Sequence, residues 1–476
     1  MTGNTSLSEF AFYRYRNLII VSAVLVYGLV AYLSYATGIT WLPLLAIGVF
    51  FAGVFAFLSL KEPYYILLFV AVGSYLGNLV HLIEDGAVPV TIFQILLVMG
   101  FLFFVVHRLM ASDLEIKLLG IELELMLFLA LIFLSIVYTP NPESGMLNAI
   151  RFLILIATAY LVVNIVRSQN QITGILALLV AVSVVLAAIA LRETILNPTA
   201  AAMEFMSAGN LENRAKGTQV DPNIFASHFF LPIAFVSSLF LSLKSYMYRV
   251  PAFIILGILS LGLLSTFSRS AWVAAAVMLV LTAYFQRQLK LFVWLFGVAL
   301  VAILFIPELQ YTALNVLERI MDIFAGSSDN SSRIRILLGI AAMGMLFDSY
   351  LLGVGFRGFP EVFPNYFSVQ STIGVVEPHN ITYTILAELG VIGFFLFAII
   401  YWKIGWVAYQ NITLSTGDVE RSVSITLFVA YIAFIIFYQF YNGFLVDTNI
   451  WIIIGLIFAM NLIKVKPLEY SKGELT

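Results

Sequence analysis

The 476-residue chain contains no cysteine. Disulfides, thiolate metal centres and a cysteine nucleophile are thereby excluded, and cysteine carries no information about redox compartment. Charge is also scarce. Asp, Glu, Lys and Arg make up 11% of the residues, against roughly 25% in an average soluble domain. There is no long basic run and the net charge is −2, so nothing points to nucleic acid. No H-x-x-x-H, carboxylate-rich cluster or G-x-S-x-G occurs, which leaves metal and serine-hydrolase readings without support. What fills the sequence is apolar: 62% hydrophobic residues and a mean hydropathy of +1.02. That composition predicts an all-α, polytopic transmembrane helix bundle, a single membrane domain over residues 1–476.

A span needs roughly 20 apolar residues to cross the hydrocarbon. About fourteen such runs occur, beginning near Leu18, Trp41, Pro63, Val88, Leu118, Leu147, Gln171, Pro222, Val250, Ser270, Leu289, Asn380, Ser422 and Val446. The run at Val250 is short and neighbours can merge, which gives 12–14 spans. Arg14 and Arg16 precede the first run with no cleavage site after it, so it reads as a retained span and not a removed signal peptide.

Alternation from a cytoplasmic N-terminus places Lys61, Arg108, Lys117, Arg167, Lys244, Arg249, Arg287, Lys290, Lys403, Arg421, Lys464, Lys466 and Lys472 inside. The short connections Thr37–Thr40, Ile83–Ala87 and Tyr441–Asp447, which fall outside, hold no lysine or arginine. This is the positive-inside pattern, and it persists along the chain with both termini inside. Two outside loops carry cations nonetheless: Arg192–Asp221, and a large extracytoplasmic loop Pro307–Pro378. Within the latter, Ile334–Phe347 is apolar but too short to span, so it is placed as an interfacial or re-entrant helix.

Four constellations lie on that outer side. Arg214 and Lys216 precede Asp221-Pro222-Asn223, where Asp suits a helix cap and Pro the first turn. Such a helix start is either a capped end with solvated charges or an anion clamp. In Ser268-Arg269-Ser270 the arginine sits between two apolar segments with almost no loop; it either snorkels to the interface or faces a polar cavity. In Ser332-Arg333-Ile334-Arg335 the arginines point about 200° apart on a helix, so only one can face a given pocket. Arg333 lies near the positive end of the helix, where an anion would offset it, so Arg333 is expected to face the site and Arg335 the headgroups. Glu377-Pro378-His379-Asn380 stands at the mouth of the next span; its histidine could take a proton from a hydroxyl or simply cap the helix. Glu388 is nine residues on and should not touch His379; an interior partner is expected. Gly353-Val354-Gly355-Phe356-Arg357-Gly358 matches G-x-G-x-x-G but follows no strand. It reads as a tight glycine turn whose flexibility would let the loop close over a ligand, not as a dinucleotide site.

Arginine forks bind phosphate oxygens bidentately. Several arginines and one histidine on one face therefore suit an anionic amphipathic substrate at the outer interface. In order along the chain, Asp221-Pro222-Asn223, Ser268-Arg269-Ser270, Ser332-Arg333, Gly353-Val354-Gly355 with Phe359, His379-Asn380, Glu388-Leu389-Gly390 and Gly393 resemble the O-antigen ligase and O-antigen polymerase superfamily of bacterial polysaccharide assembly. The resemblance covers roughly Arg214 to Gly393; Leu337 stands where an aromatic would be expected.

The resemblance implies a metal-independent and cofactor-free glycosyltransferase in the bacterial cytoplasmic membrane, with its active site facing outward. The donor would be a glycan on undecaprenyl diphosphate, and the acceptor a second glycan or a lipid core. Carried over residue by residue, Arg269 and His379 are the catalytic candidates. Arg214, Arg333 or Arg335, Lys216, Asp221, Glu377 and Asn380 are the substrate-binding ones. Nothing in the sequence separates ligase from polymerase. A lipid-linked oligosaccharide flippase or another transporter is the competing class, although transporters place their charges near the midplane, and here they crowd one face.

Overall fold

A computed structural model describes residues 42–76, 92–112, 115–196, 214–219, 221–290, 293, 330–367, 377–441, 443, 445 and 447–465. The expected first span, most of the one near Leu289, and residues 307–329 and 368–376 of the large loop lie outside the described residues.

The helices in chain order are α1 (Leu42–Lys61), α2 (Tyr64–Leu76), α3 (Ile92–Met110), α4 (Glu122–Ile136), α5 (Pro142–Ile165), α6 (Gln169–Leu196), α7 (Pro222–Ser227), α8 (Phe230–Ser242), α9 (Tyr246–Ser265) and α10 (Arg269–Phe285). They continue with α11 (Asn330–Asp348), the one-turn α12 (Phe359–Val362), α13 (Ile381–Thr413), α14 (Asp418–Phe437) and α15 (Thr448–Val465). No strand occurs among the described residues. Eight helical segments there are long and apolar enough to cross a membrane, with α7 and α8 counted as one. The run expected to be short, at Val250, is a full 20-residue helix starting at Tyr246. Over the short apolar stretch Ile334–Phe347 the chain forms the 19-residue α11, which is not among the candidate spans.

Helix α15 is the centre of the bundle: every residue from Asn449 to Met460 is buried. Trp451 meets Phe152 edge to face at 5.5 Å. Further along, a Cβ on Gly455 would lie 2.6 Å from Val162 Cβ, so glycine lets α15 and α5 pass closely. Because 451 pairs with 152 and 455 with 162, the two helices run parallel. The outward faces are apolar, with Leu102, Val105 and Leu109 on α3 and Phe253, Ile254 and Leu261 on α9 all exposed. Polar side chains such as His228, Asn411 and Ser422 are buried instead. Such a distribution suits a hydrocarbon surround.

The parallel course of α5 and α15 gives the bundle two distinguishable ends. At one end Lys464 donates to Ser415 Oγ (2.8 Å), Ser424 Oγ (2.9 Å) and the Asn411 carbonyl, and pairs with Glu420 at 3.1 Å. Lys403 pairs with Glu124 at 2.5 Å, and Arg421 donates to the Phe285 carbonyl at 3.0 Å, at this same end. Arg214, Arg269, Arg335 and His379 gather at the opposite end.

One helix is interrupted on purpose. α13 has 33 residues, and Gly390 within it takes φ 67°, ψ −164°. That break leaves backbone groups without intrahelical partners. The glycine turn supplies them: Val354 N–H donates to the Ala387 carbonyl (2.8 Å), Gly355 N–H to the Glu388 carbonyl (2.9 Å), and Val391 N–H to the Leu351 carbonyl (3.1 Å). The turn is also held from its other side, where Thr139 Oγ1 donates to the Phe356 carbonyl (3.0 Å) and Phe356 N–H to Ser135 Oγ (3.1 Å). The flexible closing loop expected from its glycines is thus corrected. Residues 351–358 are a fixed plug, and their glycines serve close backbone approach.

Candidate functional site

The site is built from three helix starts. At the first, Asp221 is the N-cap of α7 with Pro222 at N1, and its carboxylate accepts Asn223 N–H at 2.5 Å. Asn223 is a junction: its Oδ1 accepts from Arg214 Nη2 at 3.0 Å and from Ser268 Oγ at 2.7 Å. Arg214 Nε donates to the Thr266 carbonyl at 3.0 Å, and Ala215 N–H to the Ser265 carbonyl at 3.0 Å. These bonds stitch the 214–219 segment to the α9–α10 turn. Lys216 contributes its backbone N–H, which donates to Glu193 Oε2 at 3.0 Å, as does Gly217 N–H at 3.1 Å.

The second start is the turn itself. Phe267 adopts φ 49°, and Ser268 then caps α10, whose first residue is Arg269. Its place at the positive end of a 17-residue helix adds backbone N–H groups to the guanidinium charge. Arg269 lies within electrostatic reach of Arg214. Burial and this like charge draw Arg214 below its ordinary pKa, with Asp221 opposing them. Two cations held together in this way favour an anion between them.

The third start is that of α13. Asn380 caps it, its Oδ1 accepting Tyr383 N–H at 3.0 Å. Its Nδ2 donates to the Gln439 carbonyl at 2.8 Å, and Ile381 N–H donates to the Tyr438 carbonyl at 2.9 Å. The end of α14 therefore clamps the peptide that follows His379. His379 has φ 50°, a left-handed backbone that costs energy for a side-chain-bearing residue and that the surroundings must impose. Its residue surface stays open, yet the protein packed around the ring disfavours the charged form. That desolvation comes first and the Arg335 charge second; together they lower the imidazole pKa, with Glu377 and Asp221 opposing. A neutral imidazole at neutral pH is able to accept a proton.

The structure therefore brings Arg214, Asp221, Arg269, Arg335, Glu377, His379 and Asn380 to one end of the bundle. Asp221 is the common neighbour, since its charge is felt by Arg214, His379 and Tyr441. Arg335 acts on His379 from α11, which leans on α13 where Gly339 meets the Tyr383 ring. The side chain of Arg333 lies outside the described set.

Several residues here were not singled out by sequence. Tyr441 is held well above the ordinary phenol pKa by burial and by Asp221, Asp447 and Glu377. Arg357, in the glycine plug at φ 62°, pairs with Glu377 at 2.7 Å. Burial opposes its charge, but Glu377 and Glu388 outweigh that and raise its pKa. Glu388, by contrast, was expected to find an interior partner: it is buried and its Oε1 accepts Phe359 N–H at 3.4 Å. Beneath the 214–219 segment lies a buried polar layer. Thr218 Oγ1 donates to the Tyr75 carbonyl (2.8 Å), and the His228 ring contacts Gln219 (3.2 Å) and the Ser74 carbonyl (3.2 Å). Asp447 accepts from Tyr438 (3.1 Å) and Ser227 (3.3 Å) in the same layer. Polar residues inside apolar runs were the only advance signal, and the Thr218–Tyr75, His228–Ser74 and Ser227–Asp447 contacts each join residues over 140 positions apart.

Compared with known proteins, residues 252–398 match the O-antigen ligase family (Wzy_C). The matched segment contains Arg269, Arg333, Arg335, Glu377, His379 and Asn380, and it stops short of Arg214 and Asp221. No curated protein matches the chain.

Proposed function

From a polytopic chain that carries an O-antigen ligase domain over residues 252–398, we propose a glycosyltransferase acting at the outer face of the bacterial cytoplasmic membrane. It moves a glycan from undecaprenyl diphosphate to an acceptor hydroxyl. The observation that carries this reading is the gathering of Arg214, Arg269 and Arg335 with His379 around Asp221, at the end of the bundle opposite Lys403, Arg421 and Lys464. The positive-inside rule assigns that lysine-bearing end to the cytoplasm and both termini with it. The arginine site then faces outward, where a lipid-linked donor would present its diphosphate.

In the proposed step the arginines hold the diphosphate, with Arg333 as the alternative to Arg335 and Lys216 at the rim. His379 takes the proton from the acceptor hydroxyl as its oxygen bonds to the anomeric carbon. The bond from that carbon to the diphosphate breaks, and undecaprenyl diphosphate leaves with the electron pair, inverting the anomeric centre. Negative charge grows on the leaving group, so fixed guanidinium groups stabilise the transition state more than the ground state. They fill the role a metal would otherwise take, and the reading therefore includes metal independence. Glu377 and Asp221 flank His379 and favour the imidazolium as it forms, and Asn380 fixes the histidine backbone.

The test is reconstitution of the purified protein with a lipid-linked donor, in parallel with a second lipid-linked repeat and with a lipid-core acceptor. Product without ATP and in excess EDTA supports the reading, and the productive acceptor separates polymerase from ligase. His379→Ala and Arg269→Ala should each abolish transfer while the protein still inserts. Normal transfer by both variants sinks the mechanism. Movement of lipid-linked glycan driven by an ion gradient, with no new glycosidic bond, would instead favour a transporter.

A further inference from the structure

At the opposite end of the bundle, well away from the arginine site, the ends of α1, α3 and α5 and the start of α6 enclose a cavity of about 250 Å³. Lys61, Arg108 and Arg167 line it together with His107, and Glu62 is the one carboxylate in its wall. The frame around these cations is rigid. Tyr64 OH donates to the Gln171 carbonyl at 2.9 Å, and Arg167 N–H donates to Gln171 Oε1 at 2.8 Å. Asn164 both accepts Lys117 N–H (2.8 Å) and donates to the Lys117 carbonyl (3.1 Å). Arg108 lies over the Phe104 ring at 5.4 Å.

Cations at helix C-termini satisfy the helix dipole and the inside rule without any cavity. Those two effects would be served equally well by side chains splayed into water. Here Lys61 and Arg167, from separate connections, line one walled space together with His107 and with Arg108, which also donates to the Glu115 carbonyl at 2.5 Å, and a wall holding more cations than carboxylates attracts an anion. Direction of access distinguishes the kinds of anion. The cavity adjoins the outward face of α3, where Leu102, Val105, Val106 and Leu109 are exposed and apolar as far as His107 and Arg108. An anion whose hydrophobic tails lie along that face reaches the cavity with its headgroup alone.

We propose that this cavity binds the phosphate headgroup of an anionic phospholipid of the inner leaflet, with its acyl chains against α3. The site is distinct from the donor site and does not depend on the transferase reading. Lys61 and Arg167 supply charge to the phosphate, and Arg108 supports it from the Phe104 side.

The experiment is native mass spectrometry of the full-length protein in detergent, titrated with phosphatidylglycerol, with phosphatidylcholine, and with inorganic phosphate as competitor. Wild type should retain one phosphatidylglycerol in preference to phosphatidylcholine, and millimolar phosphate should fail to displace it. A surface cation is worth roughly fivefold in affinity for an anionic lipid. The double variant Lys61→Gln/Arg167→Gln should therefore bind about twenty-five-fold more weakly. Lys244→Gln/Lys290→Gln, two exposed lysines away from the cavity, should match wild type. Equal retention of the two lipids, full displacement by phosphate, or an unchanged double variant would each overturn the proposal. Should the double variant fail to fold, the choice between the two lipids by wild type still decides it.

Discussion

Asn223 offers the sharpest test of how the site is assembled. Its Oδ1 takes one bond from the Arg214 guanidinium and one from the Ser268 hydroxyl. A bond from a charged donor contributes about 1.5–3 kcal/mol and a neutral one about 0.5–1.5 kcal/mol. Asn223 is only partly buried, so the lower end of the sum applies, and Asn223→Ala should cost about 2 kcal/mol. In a protein of 476 residues that amounts to a fall of about 2 °C in melting temperature. Arg214 would retain only its Thr266 bond, and transfer should fall with stability. Asn223→Asp separates the two effects. A carboxylate accepts the same two bonds, so the melting temperature should hold. It also places a negative charge beside Arg214, close to the proposed diphosphate. At an effective dielectric near 20 that repulsion is about 2 kcal/mol, roughly thirtyfold in donor KM. The assay is donor-dependent transfer in proteoliposomes alongside fluorescence-monitored melting. A wild-type donor KM in Asn223→Asp would refute the claim that Arg214 serves the donor phosphates.

Three further outcomes are expected. The His379 pKa is lowered from 6.5, so the neutral base persists to more acidic pH than an ordinary histidine allows. Transfer should then fall only as pH drops through a midpoint below 6.5, and an acid limb centred above that value would contradict the assignment. Arg335→Ala should reduce transfer at least tenfold and raise the His379 midpoint, because the Arg335 charge depresses it. If Arg333→Ala does this and Arg335→Ala does not, the two roles exchange. Gly353→Ala should destabilise by about 3 kcal/mol, since φ is 83° and the new Cβ would lie 2.6 Å from the Glu388 carbonyl carbon. An unchanged melting temperature would mean that the plug does not hold the α13 break.

Much of the framework was legible in the sequence because its causes are local. Twenty apolar residues in a row specify a spanning helix wherever they occur, and the described helices follow the expected runs closely, from α1 at Leu42 to α15 at Thr448. Asp221-Pro222 gave its cap correctly, and the residues around Phe267 formed the expected tight turn, since capping and turn chemistry act over a few residues. The glycine motif misled in one respect. Its freedom serves close packing against the α13 break instead of motion, and that use depends on Gly390, more than thirty residues away. Arg357, Tyr441 and the His228–Asp447 layer were missed for a similar reason: each gains its meaning from partners remote in sequence, and no periodicity records them.

Sequence alone determined that this is a membrane bundle and that it carries two populations of cations, lysine-rich connections and a sparse set of arginines with one histidine. Hydropathy and charge bias are sums over neighbouring residues, so they survive in one dimension. Tertiary structure decided which of those charges meet. The Asn223 junction joins the Arg214 segment to the Arg269 turn, and the α14 end clamps His379 beside Glu377. α11 carries Arg335 into the field of that histidine. Coulomb energy depends on separation in space, and only the folded chain sets that separation.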